Sequence, residues 1–166
     1  MAHSSYLDAS ALAKRYIPEH GSVQVDAILD SVPAKRIYLL NIGTGEVMSI
    51  LVRKRNARVL STAEFAQAAA SFDAEIVGAK DITKVSVTSR LVTASFSLIV
   101  AHAINSTDAI MLQSALAIAR KLRAAGDDLV VVASDRRLLR AARAEGLDRF
   151  NPETQGQAAL APFLGP

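Results

Sequence analysis

Short, mainly apolar runs recur along the chain, and each ends at a polar or acidic residue. The clearest is Leu129–Ala133, five apolar residues bounded by Asp128 and Ser134. Such runs predict buried strands, because a strand covered on both faces has no polar side to show in the sequence. The other predicted strands are Ser4–Leu7, Ile37–Leu40 and Arg149–Asn151, together with Ile82–Val87, in which apolar and polar residues alternate.

Stretches with helical spacing of apolar residues separate these strands. The predicted helices are Ala9–Tyr16, Val23–Leu29, one that begins at Thr44, Ser61–Val77, Val92–Ala103, Asp108–Ala125 and Asp135–Glu145. Alternating strands and helices predict a parallel sheet covered on both faces, which is an α/β sandwich. The segment Pro152–Pro166 contains three prolines and two glycines, so it is predicted to be a tail without elements.

Composition narrows the class of protein. The 166 residues fit one domain, and a hydrophobic content of 51% can fill a core. The absence of cysteine excludes a disulfide scaffold, a Cys-ligated zinc site and a thiol nucleophile. The apolar stretch Leu91–Ile104 is interrupted by polar residues and is too short to span a membrane. We therefore expect a soluble, cytoplasmic protein with no membrane partner, and the net charge of +3 permits a polyanionic one.

Four acidic residues occupy similar places in this predicted order. Asp8 and Asp135 each end a strand, Glu46 lies in the first turn of a helix, and Asp108 opens the most apolar helix. In a parallel sheet, the carboxyl ends of the strands and the adjacent helix starts share one edge. The four carboxylates are therefore predicted to converge on one cleft.

Helix capping is the alternative role for each of these acids. Asp is a favoured N-cap residue, and an acid in a first turn suits the helix dipole. Taken one at a time, the acids are more readily explained as caps than as catalysts. Capping requires no common location, however, whereas catalysis does.

The sequence around the acids is ordered in a recognisable way. The segments are DASALAKRY at 8–16, DAIML at 108–112, SDRRLL at 134–139 and NPE at 151–153. Together with a mid-chain Glu, this order resembles the PIN-domain family and, within it, the VapC-type toxin ribonucleases of toxin–antitoxin pairs. The resemblance covers about residues 4–153. Met111 stands where relatives often have His, and a glycine-rich stretch, 41–45, precedes Glu46.

The resemblance implies a PIN-like three-layer α/β/α sandwich with a central, mainly parallel sheet of four to five short strands. The nuclease domain would be 1–153, and the tail 154–166. The implied catalytic and metal-binding residues are Asp8, Glu46, Asp108 and Asp135, with Ser10 and Ser134 as supporting hydroxyls. The implied partners are an RNA substrate, a cognate antitoxin and a second copy of the chain in a homodimer.

The predicted chemistry follows from an all-carboxylate cluster. Carboxylates in one cleft repel each other, and Mg²⁺ or Mn²⁺, which prefers oxygen ligands, removes that conflict. A bound divalent ion lowers the pKa of water and stabilises charge on a phosphodiester under attack. We therefore expect a metal-dependent endoribonuclease that leaves a 5′-phosphate and a 3′-hydroxyl. Lys14, Arg15, Arg136 and Arg140 are candidate RNA contacts, although solvated helix faces carry such charges too.

Other functions remain open at this point. A non-toxin PIN-fold nuclease or a catalytically silent PIN-fold binding module fits the same residues. A phosphatase of the haloacid-dehalogenase type is disfavoured, because Ser10 stands where its second Asp is needed. Gly43-Thr44-Gly45 is neither a P-loop nor a dinucleotide fingerprint. The apolar side chains of Ala66, Ala69, Ala70 and of the stretch Phe72–Ile76 suggest either a dimer interface or the closure of a monomer's core.

Overall fold

A computed structural model describes residues 1–164 and shows alternating strands and helices. The strands are β1 (His3–Leu7), β2 (Ile37–Leu40), β3 (Thr83–Val85), β4 (Asp128–Val132) and β5 (Asp148–Phe150). The helices are α1 (Ala9–Leu12), α2 (Ser22–Ser31), α3 (Asn41–Asn56), α4 (Thr62–Phe72), α5 (Ser89–Ala94), α6 (Phe96–His102), α7 (Ser106–Ala124), α8 (Arg136–Ala144) and α9 (Gln157–Leu164). Short 3₁₀ turns, Ala13–Arg15 and Ala34–Arg36, follow α1 and precede β2, and a π-helical turn, Asp73–Val77, extends α4.

All five strands are parallel and lie in the order β3-β2-β1-β4-β5. From β1 the chain builds β2 and β3 on one side, and then crosses to β4 and β5 on the other. The side of the sheet on which successive strands are added therefore changes between β1 and β4. In open parallel sheets, a crevice at the carboxyl ends of the strands on either side of such a reversal is the usual ligand site.

The sheet has a hydrophobic core on each face. Along β4, Val130 and Val132 pack into one core with α1–α4 and α9, while Leu129 and Val131 pack into the other with α5–α8. Since both faces are covered, the strand has no polar side, and its sequence reads as a continuous apolar run. The predicted three-layer α/β/α sandwich is confirmed.

Helix α7 is buried on more than one side, as its sequence predicts. The consecutive residues Ala109, Ile110, Met111 and Leu112 are all buried. Met111 therefore belongs to the packing of the helix. Within residues 1–164, no single helix is long and apolar enough to cross a membrane; Ser89–His102 and Ser106–Ala124 pass that test only as a pair, bent by 109° at the break.

The bounds of several helices differ from the prediction, and two of these differences change a predicted position or element. Helix α3 begins at Asn41 rather than Thr44, and the Thr44 hydroxyl donates a 2.7 Å hydrogen bond to the Asn41 carbonyl inside the first turn. Glu46 therefore lies in the second turn, one turn later than predicted. The predicted helix Val92–Ala103 is two helices, α5 and α6, which meet at the buried Ser95.

The C-terminal segment was predicted to be a tail without elements, and this prediction is wrong. Residues Gln157–Leu164 form α9, in which Leu160 is fully buried. The helix packs against α2 and β1 and completes one core, so this apolar contact outweighs Pro162 within the helix. Residues 165 and 166, which belong to the same predicted tail, lie outside the described residues.

Candidate active site

The four predicted acids line one cleft at the carboxyl edge of the sheet. Asp8 follows β1 and Asp135 follows β4, while Glu46 and Asp108 come from α3 and the first turn of α7. They surround a cavity of about 490 Å³, which Ser10 and Ser134 also line. The cleft lies where the order of the sheet reverses, so topology brings together residues that are far apart in the sequence.

Asp8 and Asp135 act as helix caps and also line the cleft. Asp8 Oδ2 accepts hydrogen bonds from the Ser10 hydroxyl and, at 3.2 Å, from the Ser10 backbone N–H. Asp135 Oδ1 accepts from the backbone N–H groups of Arg137 and Leu138 at 2.6 and 3.1 Å. Each cap uses one carboxylate oxygen and fixes the side chain at the edge of the cleft. Capping and a role in the cleft are therefore compatible.

Asp108 is held by a different residue. Asn105 is the N-cap of α7, and its Oδ1 accepts from the Asp108 backbone N–H at 2.9 Å. Asn105 Nδ2 donates to Asp108 Oδ2 at 2.8 Å. Burial first, and then the negative charges of the other three acids, raise the pKa of the Asp108 carboxyl to about 7. The four carboxylates are therefore close enough in the cleft for their negative charges to repel one another.

Glu46 lies on the face of α3 that borders the cleft. Burial, and to a smaller extent the charge of Asp8, raise the pKa of the Glu46 carboxyl above its usual range. Ser49, Ile50 and Arg53 line the cleft from the same helix. From the sequence, Arg53 is one of several basic residues that follow the acidic segments, and its spacing of seven from Glu46 places both on one helix face.

The donor set of the cleft consists of oxygens. The cleft is lined by four carboxylates and by the hydroxyls of Ser10, Ser49 and Ser134, and none of the three histidines lines it. Ser134 Oγ is buried and makes no hydrogen bond within the described residues. In residues 1–164, no three His, Asp or Glu side chains are grouped to ligate an ion directly. Mg²⁺ usually keeps several waters and binds one or two carboxylates, so the oxygen lining fits a partly hydrated ion.

Two of the predicted RNA contacts are engaged elsewhere. The Lys14 side chain is only 4% exposed, and its Nζ binds Glu19 at 2.9 Å and Glu153 at 2.7 Å. Arg15 forms ion pairs with Asp26, Asp30 and Glu75 at 3.0–3.2 Å. Glu153 lies 139 residues from Lys14, and Glu75 lies 60 residues from Arg15, so sequence reasoning could not reveal these two pairs. Both cations hold the fold together, and neither offers a free charge to RNA.

The other two predicted contacts, Arg136 and Arg140, are exposed on α8. Arg136 follows the cleft residue Asp135 directly and lies at the start of the helix. In residues 1–164 neither arginine forms an ion pair within 4.0 Å of a carboxylate. Their charges therefore remain available beside the cleft.

Neither a protein-family model nor a curated protein sequence matches the chain. Six chains of solved structures do, among them the following two. FitAcB from Neisseria gonorrhoeae superposes with a TM-score of 0.61 at 18% identity, over 91% of this chain and 99% of that one. PAE2754 from Pyrobaculum aerophilum gives 0.59 at 20% identity, over 98% and 99%. At identities this low the superpositions establish the fold alone, and they confirm the PIN-like fold that the sequence resemblance implies.

Proposed function

We propose that this protein is a metal-dependent endoribonuclease and the toxin of a toxin–antitoxin pair. The observation that carries the proposal is the convergence of Asp8, Glu46, Asp108 and Asp135 on one cleft where the sheet order reverses. The raised pKa of Asp108 supports it, since mutually repelling carboxylates at a cleft are typical of functional sites.

Asp8 and Asp108 would hold a Mg²⁺ or Mn²⁺ ion, with Glu46 and Asp135 reaching it directly or through water. The ion would lower the pKa of a bound water and stabilise charge on the scissile phosphate. The two caps and the Asn105 hydrogen bond keep three of these carboxylates in place before substrate arrives. Preorganisation of this kind avoids a cost of reorganisation during the reaction.

Two residues of α3 would act on the substrate. Glu46 accepts no hydrogen bond from the described part of the chain, and its raised pKa suits a group that takes a proton from the attacking water. Arg53 lines the same cleft and would bind a non-bridging phosphate oxygen through its guanidinium. Water would attack the phosphorus in line with the P–O3′ bond, which breaks. The departing 3′-oxygen takes a proton from solvent, so the products are a 5′-phosphate and a 3′-hydroxyl.

Removal of divalent ions tests the proposed reaction. We expect RNA cleavage in Mg²⁺ or Mn²⁺ and none in excess EDTA, because the carboxylates that line the cleft would act through a bound ion, and no histidine of residues 1–164 lines it as a metal-free acid or base. The readout is product formation on labelled RNA, with mapping of the product ends. Protein carrying Asp8→Asn serves as the control for a contaminating nuclease. Undiminished cleavage in excess chelator would contradict the mechanism.

The proposed biological role requires an antitoxin. The VapC-type resemblance of the sequence supports such a partner, and the likeness in fold to FitAcB agrees with it. An Arg from the antitoxin could enter the acidic cleft and neutralise it without covalent change. A neighbouring gene for a small protein with a DNA-binding half is the informative observation for this role.

We also propose a homodimer, with a different apolar surface from the one that sequence suggests. Phe72 and Ile76 are buried and close the core, whereas Phe96 and Val100, one turn apart on α6, are 53% and 85% exposed. Sedimentation at micromolar concentration should give twice the monomer mass, and Phe96→Ser with Val100→Ser should lower it. A monomeric wild-type protein would contradict the dimer and leave the nuclease proposal intact.

A further inference from the structure

A second cavity, about 680 Å³ in volume, lies along α8. Arg136, Arg140 and Arg143 of α8 line it together with Arg149 of β5. We call this cavity the arginine groove. Of residues 1–164, no carboxylate and no aromatic side chain lines it.

The four arginines of the groove are not neutralised. Elsewhere in residues 1–164, basic side chains such as Lys14, Arg15 and Arg123 form ion pairs with carboxylates. None of the groove arginines forms an ion pair within the same range. Their four positive charges exceed the net charge of the whole chain, which is +3. The groove is therefore a local concentration of positive charge.

The groove starts at the edge of the cleft. Asp135 lines the cleft, and the next residue, Arg136, lines the groove. The spacing of four and then three residues places Arg136, Arg140 and Arg143 on one helix face. At a rise of about 1.5 Å per residue, this row extends roughly 10 Å away from the cleft. A row of charges of that length can meet more than one phosphate of a polyanion that leaves the cleft.

The remaining donors suit phosphate as well. Guanidinium groups bind phosphate oxygens in a bidentate manner. The carboxamide oxygen of Gln155, which also lines the groove, accepts from the Asn151 backbone N–H at 2.8 Å, so its amide N–H₂ is left to donate. Without an aromatic side chain, the groove cannot stack bases, and contacts with phosphates alone carry no sequence preference.

We propose that the arginine groove binds the backbone phosphates of an RNA strand on one side of the scissile bond. The inference rests on the proposed nuclease function and adds the path of its substrate. An acidic protein segment could also neutralise the arginines. A continuous polyanion is favoured, because the row begins at the cleft where a phosphodiester would be bound.

The test compares two double variants that lose the same charge. Arg140→Ala with Arg143→Ala removes the middle of the groove, and Arg90→Ala with Arg120→Ala removes exposed arginines that line neither cavity. Alanine preserves helix propensity at all four positions. Both variants are assayed on an RNA of about 12 nucleotides, within the range of known single-strand site sizes, and on a dinucleotide that fills the cleft alone.

The groove variant should raise KM for the longer RNA about tenfold, with kcat little changed, because charge-assisted contacts outside the cleft bind ground and transition states equally. Cleavage of the dinucleotide should not change, and the control variant should match wild type on both substrates. RNA binding is measured in Asp8→Asn protein with and without the two groove substitutions. These substitutions should make the slope of log RNA affinity against log salt concentration shallower by about 1.4, or about 0.7 for each lost contact.

Three results would overturn the proposal. One is an equal loss of RNA affinity in the groove variant and in the control variant. Another is a salt slope of RNA binding that the groove substitutions leave unchanged. The third is an unchanged KM for RNA together with lost binding of the antitoxin, which would assign the groove to a protein partner. Failure of the nuclease proposal looks different: wild type would cleave no RNA, while the salt slope of Asp8→Asn protein would still report binding in the groove.

Discussion

Asp8→Asn and Asp108→Asn should each reduce RNA cleavage about 10²–10³-fold, while the protein remains folded. Both carboxylates border the cleft, and losing a group that stabilises transition-state charge commonly costs that much. Asn suits Asp8 for a further reason: it is as good an N-cap as Asp, so it can still accept the hydrogen bonds of Ser10. The measurement is single-turnover cleavage of labelled RNA in saturating Mg²⁺.

Asp81→Asn is the matched control, because Asp81 is exposed and does not line the cleft. It removes the same charge and should cleave RNA like wild type. Circular dichroism and melting curves establish that each variant is folded. If both cleft variants lost activity only in proportion to unfolding, the acids would be structural caps, and the catalytic assignment would be wrong.

Much of this fold is predictable because its strands are covered on both faces. Leu129–Ala133 is apolar throughout, and the structure places its alternate residues in two different cores. Once the sheet is known to be parallel, the acids that follow its strands must share one edge. The convergence of Asp8 and Asp135 therefore follows from local sequence and topology together.

What sequence missed depends on contacts between distant segments. From the sequence, Lys14 has the pattern of a free cation, yet one of its two partners, Glu153, lies 139 residues away. Burial lowers the pKa of Lys14, but its hydrogen bonds and charge interactions with Glu153 and Glu19 outweigh burial and hold that pKa above its usual value. Helix α9 was missed for a similar reason. Its proline and flanking glycines favour a loop, and only the burial of Leu160 against distant elements reveals why it is a helix.

Near the cleft, local rules give an incomplete account of each side chain. Asp8 and Asp135 do cap their helices, as their residue type predicts. The capping rule does not reveal that both carboxylates also line the cleft. Arg53 carries a helical spacing signal relative to Glu46, and the same spacing is equally typical of a solvated face. Such signals become specific only when the fold shows which helix face borders the site.

The stability of the protein without divalent ions should depend on pH through Asp108. Its pKa is raised from 3.8 to about 7 on folding, so the folded state holds the proton more tightly than the unfolded chain. The contribution of the Asp108 proton to the stability of the folded state is fully present below the unfolded pKa of 3.8, and it is lost as pH rises through the folded pKa of about 7. Asp108→Asn, which has no carboxyl to ionise, should therefore melt higher than wild type at pH 8, and the difference should shrink at pH 5.

Helix α7 reduces the expected gain, since an acid in its first turn interacts favourably with the helix dipole by about 0.3–1 kcal/mol. Partial exposure of Asp108 further limits the effect, so a net rise of about 2–5 °C in Tm at pH 8 is expected. Adding Mg²⁺ at pH 8 should raise the Tm of wild type more than that of the variant, because binding to the folded state stabilises it. A lower Tm for Asp108→Asn at both pH values, with no difference in the response to Mg²⁺, would identify Asp108 as a purely structural part of the helix start.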